Sequence, residues 1–159
     1  MSQNHADPNS DHIQARKRWM GALARTALDT LEDRYAALSP VPKHAILRKP
    51  ETGLVMVQGR ANGTGQKFNA GEMTVTRCSV RMPSGTIGHA YVAGRSRRHA
   101  ELAAIFDALL QEPDHASEIE ENLITPSEYA LAEARARRQR KAAATKVDFF
   151  TMARGEDPK

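Results

Sequence analysis

The sequence predicts an α+β fold: a four-stranded antiparallel meander packed by an N-terminal helix and a helix after the last strand, with a C-terminal helix and docking tail. Three observations lead there. Apolar residues recur at three- and four-residue steps near the N-terminus and again after Ser96, as helices require. Between those stretches, short apolar runs are separated by turn-forming Pro, Gly and Asn residues, as antiparallel strands require. The length of 159 residues suits one core with some terminal extension, and the 5% aromatic content makes that core modest. The division that follows is residues 1–10 as a disordered leader, 11–112 as an α+β domain, and 113–159 as a C-terminal helical arm with an apolar docking tail.

Residues 1–10 are polar and contain Asp7-Pro8, which favours a leader over structure. Over residues 11–38, Trp19, Met20, Leu23, Ala24, Ala27, Leu28, Leu31 and Tyr35 draw one helical stripe that ends at Ser39-Pro40. Ala45-Ile46-Leu47 and Leu54-Val55-Met56-Val57 read as two strands joined by a turn at Lys49-Pro50-Glu51-Thr52-Gly53. Gly59 to Gly65 is glycine-rich but lacks the phosphate-loop lysine, and Asn62-Gly63 signals a hairpin. Met73 and Val75 share one strand face while Cys78, Val80 and Met82 share the other, so a bulge is predicted near Thr76-Arg77. Pro83-Ser84-Gly85 turns into a fourth strand reaching Ala93. Leu102, Ile105, Phe106, Leu109 and Leu110 then form the cleanest helical stripe, which should cover the sheet. Thr125-Pro126-Ser127-Glu128 resembles a helix start. Beyond Tyr129 and Leu131, alanines and Arg135, Arg137, Arg138, Arg140 and Lys141 leave that last helix poorly amphipathic.

Composition narrows the function classes. No apolar run approaches the roughly 18 residues of a membrane span, and the N-terminus lacks signal-peptide regions, so the expected location is the cytoplasm. The one cysteine, Cys78, excludes an internal disulfide and a multi-cysteine metal site, and no His, Cys, Asp or Glu cluster has metal-ligand spacing. The net charge of +4 suits nucleic acid, a phosphorylated ligand or an acidic protein partner. Nucleic-acid binding lacks support, because no aromatic residues interleave the basic ones as stacking platforms.

The best candidate site is the strand-to-helix junction Gly94-Arg95-Ser96-Arg97-Arg98-His99-Ala100-Glu101. Arginines are disfavoured at the positive end of a helix unless an anion or acidic partner compensates, so Arg95, Arg97 and Arg98 are anion-binding candidates; the alternative is that they simply reach solvent. His99 and Glu101 are weak catalytic candidates, since residues two apart on a helix point about 200° from one another and do not form an acid–base dyad. Structural bonds are the competing use of both. At the far end, Val147 to Gly155 concentrates Phe149, Phe150, Met152 and Arg154 in what should be a polar tail. Such a cluster docks either on its own domain or on another chain.

These landmarks together resemble the PhnG subunits of the bacterial carbon-phosphorus lyase core complex. The resemblance rests on Arg18-Trp19-Met20, Glu51-Thr52-Gly53-Leu54-Val55, Gly63-Thr64-Gly65 with Phe68 and Gly71, Thr76-Arg77 before Val80-Arg81, and Gly94-Arg95 with His99-Ala100-Glu101. Its most specific block is Val147-Asp148-Phe149-Phe150-Thr151-Met152 with Arg154-Gly155. The resemblance implies an accessory subunit in phosphonate catabolism that supports attack of an alkylphosphonate on ribose C1 of ATP, displacing adenine. It implies the H, I and J subunits and the accessory L subunit as partners. It also implies ATP as a ligand of the complex, with an iron–sulfur cluster and S-adenosylmethionine on another subunit and no cofactor on this chain alone. The competing reading is an independent enzyme or binding protein for a phosphorylated small molecule, acting through Arg95 to Glu101.

Overall fold

The computed structural model describes residues 8–61 and 64–144. The N-terminal stripe forms two helices, α1 (Pro8–Leu23) and α2 (Leu28–Ala37), where one was predicted. The chain turns between them because the Thr26 hydroxyl and the Arg25 and Thr26 amides all donate to the Ala22 carbonyl, closing the helix end. The turn brings Trp19 and Leu23 of α1 and Leu31 of α2 onto one core.

Among the described residues three strands form the sheet, not four: β1 (Ala45–Arg60), β2 (Lys67–Arg81) and β3 (Ile87–Ala93), antiparallel in the order β1-β2-β3. The predicted strands at 45–47 and 54–57 belong to one continuous strand. Pro50 does not turn the chain, because it falls at an irregularity between the pairs Arg48↔Ser79 and Glu51↔Arg77. There, on an edge strand, its missing N–H costs no ladder bond. Glu51 reinforces the crossing by accepting from Arg77 Nε at 2.7 Å and Arg48 Nη1 at 3.4 Å.

The bulge predicted near Thr76-Arg77 is absent from the β2–β3 pairing, which runs one-to-one from Val75↔Ala93 to Arg81↔Ile87. Thr76, Cys78 and Val80 are instead buried on the face that meets the helices, while Met73 lies exposed on the other. The phase slip reflects a strand with two differently covered faces. Because β3 reaches only residues 75–81 of β2, the segment 54–60 of β1 and its partners 67–74 continue as a two-stranded ribbon.

The sheet is covered by α3 (Arg97–Leu109), against which α1, α2 and α4 (Pro113–Ile119) also pack. This explains why every residue from 102 to 109 is buried although the sequence shows a one-sided stripe. The helix lies close to β3 at Gly88, where a Cβ would fall 1.9 Å from the Ala104 carbonyl oxygen, so no other residue fits without backbone movement.

After α4 the chain makes a π-helical turn (Glu120–Ile124) and runs directly into α5 (Thr125–Ala144). Thr125 is therefore not a helix start. The Thr125 amide reaches the Glu120 carbonyl, and this widened turn accommodates Pro126, which would break a regular helix interior. Only Ser127 of α5 is buried, so the arm's basic residues are exposed. Phe149, Phe150, Met152 and Arg154, with the rest of the expected docking tail, lie outside the described residues. Among the described residues no helix is long and apolar enough to cross a membrane.

Candidate functional site

Gly94 ends β3 with φ of +91°, a conformation that favours glycine. Its amide donates to Thr74 O, and its carbonyl accepts from the buried Thr76 hydroxyl at 2.8 Å, fixing the exit direction of the chain. Ser96 then caps α3, its hydroxyl accepting from the His99 amide at 3.3 Å. No acidic residue occupies the first turn of α3 to offset the helix dipole.

The junction's candidates separate. The His99 ring is buried, with Nε2 2.9 Å from the Leu23 carbonyl. A carbonyl only accepts, so Nε2 carries the hydrogen, and His99 closes the free C-terminal end of α1. Arg98 is held against α2, with Nε 3.7 Å from Glu32, Nη1 3.3 Å from Glu101, and its guanidinium 5.3 Å from the centre of the Tyr35 ring. Glu101 also faces His44 at 3.6 Å. His99 and Glu101 thus turn to different partners. Arg95 and Arg97 remain exposed, with no side-chain partner among the described residues.

Cys78 is buried behind this junction, its thiol donating to the Arg48 carbonyl at 3.4 Å. Burial, and secondarily the charge of Glu101, push its pKa up to about 11, so at neutral pH it is a thiol and not a nucleophile. Among the described residues no group of three or more His, Cys, Asp or Glu is placed to hold a metal ion.

The most heavily bonded polar group is one that sequence reasoning passed over. Asp107, fully buried in α3, accepts from Arg16 Nε and Nη2 (3.2 and 2.7 Å), Trp19 Nε1 (2.9 Å) and the His89 amide (2.8 Å). It joins α1, α3 and β3. Its signal was present as a lone acid between Phe106 and Ala108 in an apolar helix, since a buried carboxylate needs partners. In the basic run Arg16-Lys17-Arg18, these bonds engage Arg16, and Arg18 is engaged with Glu120 and Glu128 at 2.5 and 2.6 Å. A cleft of about 250 Å³ lies elsewhere, between α2 and the start of α5, bordered by Arg25, Thr30, Arg34, Asn122 and Ser127.

A family model described as phosphonate metabolism protein PhnG matches residues 14–155. The chain belongs to the PhnG family. A relative from Rhizobium meliloti (strain 1021), the alpha-D-ribose 1-methylphosphonate 5-triphosphate synthase subunit PhnG, is 45% identical over 148 residues, covering 91% of this chain and 92% of the relative. The PhnG match takes in the whole junction, the β1–β2 ribbon and α5, and extends through Phe149 and Phe150.

Proposed function

We propose that this chain is an accessory, cytoplasmic subunit of a ribose 1-methylphosphonate 5-triphosphate synthase in phosphonate catabolism. In the reaction, a phosphonate oxygen bonds to ribose C1 of ATP as the C1–N bond breaks and adenine leaves. The observation that carries the reading is the 45% identity, across nine-tenths of both chains, to a protein named as a subunit of that synthase. The internal engagement of His99 and Glu101 supports an accessory share, because the junction's two candidate acid–base groups are held in structural contacts.

In this reading its partners are the H, I and J subunits and the accessory L subunit. ATP is a substrate of the assembled enzyme, while the iron–sulfur cluster and S-adenosylmethionine belong to another subunit; a chain with one cysteine is ill suited to hold such a cluster. Arg95 and Arg97, both exposed beside the uncompensated N-terminus of α3, meet an anionic group of the substrate or an acidic side chain of a partner. Phe149, Phe150, Met152 and Arg154 serve as partner contacts.

The test is co-expression of the tagged chain with the H, I, J and L chains, followed by purification and assay with ATP and methylphosphonate. A stoichiometric complex that releases adenine, beside an isolated chain that does not, is expected. Turnover by the isolated chain overturns the accessory assignment. Arg95→Ala with Arg97→Ala should lower activity at least about 10-fold in an intact complex, the scale of one lost charge-assisted bond. Phe149→Ala with Phe150→Ala should prevent assembly.

A further inference from the structure

The ribbon formed by residues 54–60 and 67–74 stands apart from the rest of the molecule. Among the described residues neither β3 nor another strand flanks it, and an isolated two-stranded ribbon is marginally stable in water. Yet Leu54, Val55, Met56 and Val57 run consecutively along it, the pattern of a strand buried on both faces. Leu54 and Met56 point to one face and are 63% and 54% exposed. Val57 and Met73 lie on the other, also exposed. Phe68, 52% exposed, lays its ring over Gly59, 3.2 Å from where a Cβ would sit. Apolar surface on both sides of a projecting strand pair marks an interaction element.

Charge identifies the kind of occupant. The ribbon carries Arg60 and Lys67 against Glu72, so two minus one leaves +1, and both cations sit at the end remote from the helices. Arg60 and Lys67 sit directly opposite one another, a destabilising like-charge pair, and among the described residues the Arg60 guanidinium donates only to the Gly65 carbonyl at 3.2 Å. A second copy of the chain would bring two such ends of the same sign into one interface. An acidic partner relieves the repulsion.

We propose that this ribbon is a docking arm that inserts into an apolar, acid-rimmed groove on a different subunit of the synthase. Side chains of both ribbon faces enter the groove, and partner carboxylates meet Arg60 and Lys67. The proposal rests on the subunit reading above and names the surface that reading needs.

The test uses the full chain, tagged and co-expressed with the H, I, J and L chains. Leu54→Ser with Met56→Ser should weaken capture of the partners at least about 100-fold, the scale for truncating a buried apolar anchor pair. Arg60→Glu with Lys67→Glu should weaken it at least about 10-fold and flatten its salt dependence. Circular dichroism and thermal midpoints of the isolated variants should match the unmodified chain, and the charge-reversal pair, which removes no buried group, guards against misfolding of the apolar pair. If the unmodified chain and both variants capture partners equally, the docking arm is overturned while the subunit reading stands. If the unmodified chain captures nothing, the subunit reading falls, and the docking arm with it. Self-association of the isolated chain abolished by Leu54→Ser with Met56→Ser would instead make a second copy the occupant and overturn the choice of partner.

Discussion

The helix-covered half of the sheet and the ribbon beyond it are made from the same two long strands, yet they meet opposite fates. Over residues 75–81, β2 has a strand on each side and α3 across one face, and Thr76, Cys78 and Val80 are almost inaccessible. Seven residues earlier the same strand has, among the described residues, one neighbouring strand and no covering helix, and Phe68 and Met73 are exposed. Among the described residues, no buried side-chain nitrogen or oxygen lacks a hydrogen-bond partner. One half is complete by itself; the other has the composition of an interior without the interior.

The sharpest way to break that comparison is at Asp107. Its replacement by Ala leaves the Trp19 indole N–H and the His89 amide without their acceptor and the Arg16 guanidinium without its carboxylate, and should cost about 3 kcal/mol in chemical denaturation of the isolated chain. His99→Ala uncaps α1 and should cost about 2 kcal/mol, because the buried Leu23 carbonyl loses its donor. A smaller, pH-dependent effect belongs to Cys78. Its folded pKa of about 11 lies above the ordinary value of 9.0, so the neutral thiol stabilises the fold below pH 9 and that contribution is lost as pH rises through 11. Between those limits the isolated chain should lose stability faster than its Cys78→Val variant, as read by thermal midpoints in matched buffers. At the other extreme, Leu54→Ser with Met56→Ser should change the stability of the isolated chain by no more than about 0.5 kcal/mol, since both side chains are more than half exposed in it. A large loss there would show that the ribbon is held by its own chain.

Much of the architecture was legible. The helical stripe from Leu102 to Leu110 and the poorly amphipathic arm after Pro126 follow from local periodicity, and β1 and β2 pair antiparallel on either side of Asn62-Gly63, which themselves lie outside the described residues. Local signals misled where tertiary contacts outweighed them. Lys49-Pro50 with Gly53 reads as a turn, but the edge position of Pro50 and the Arg48–Glu51–Arg77 pairs let the strand continue. At the junction, residue types alone placed Arg95, Arg97, Arg98, His99 and Glu101 together, but not which of them were already engaged. Arg98 and His99 are, through Glu32, Tyr35 and the end of α1, all remote in sequence.

The sequence by itself determined the α+β class, the surplus of positive charge, the absence of a multi-cysteine site and the residues by which the chain resembles its family. These depend on composition, periodicity and ordered landmarks, which need no knowledge of distant neighbours. Only the tertiary structure decided that Asp107 holds three elements together, that His99 is a cap, and that Leu54 and Met56 face water. Burial and pairing are properties of segments brought together from far along the chain: the same apolar run can be core or contact surface depending on where the covering helix ends.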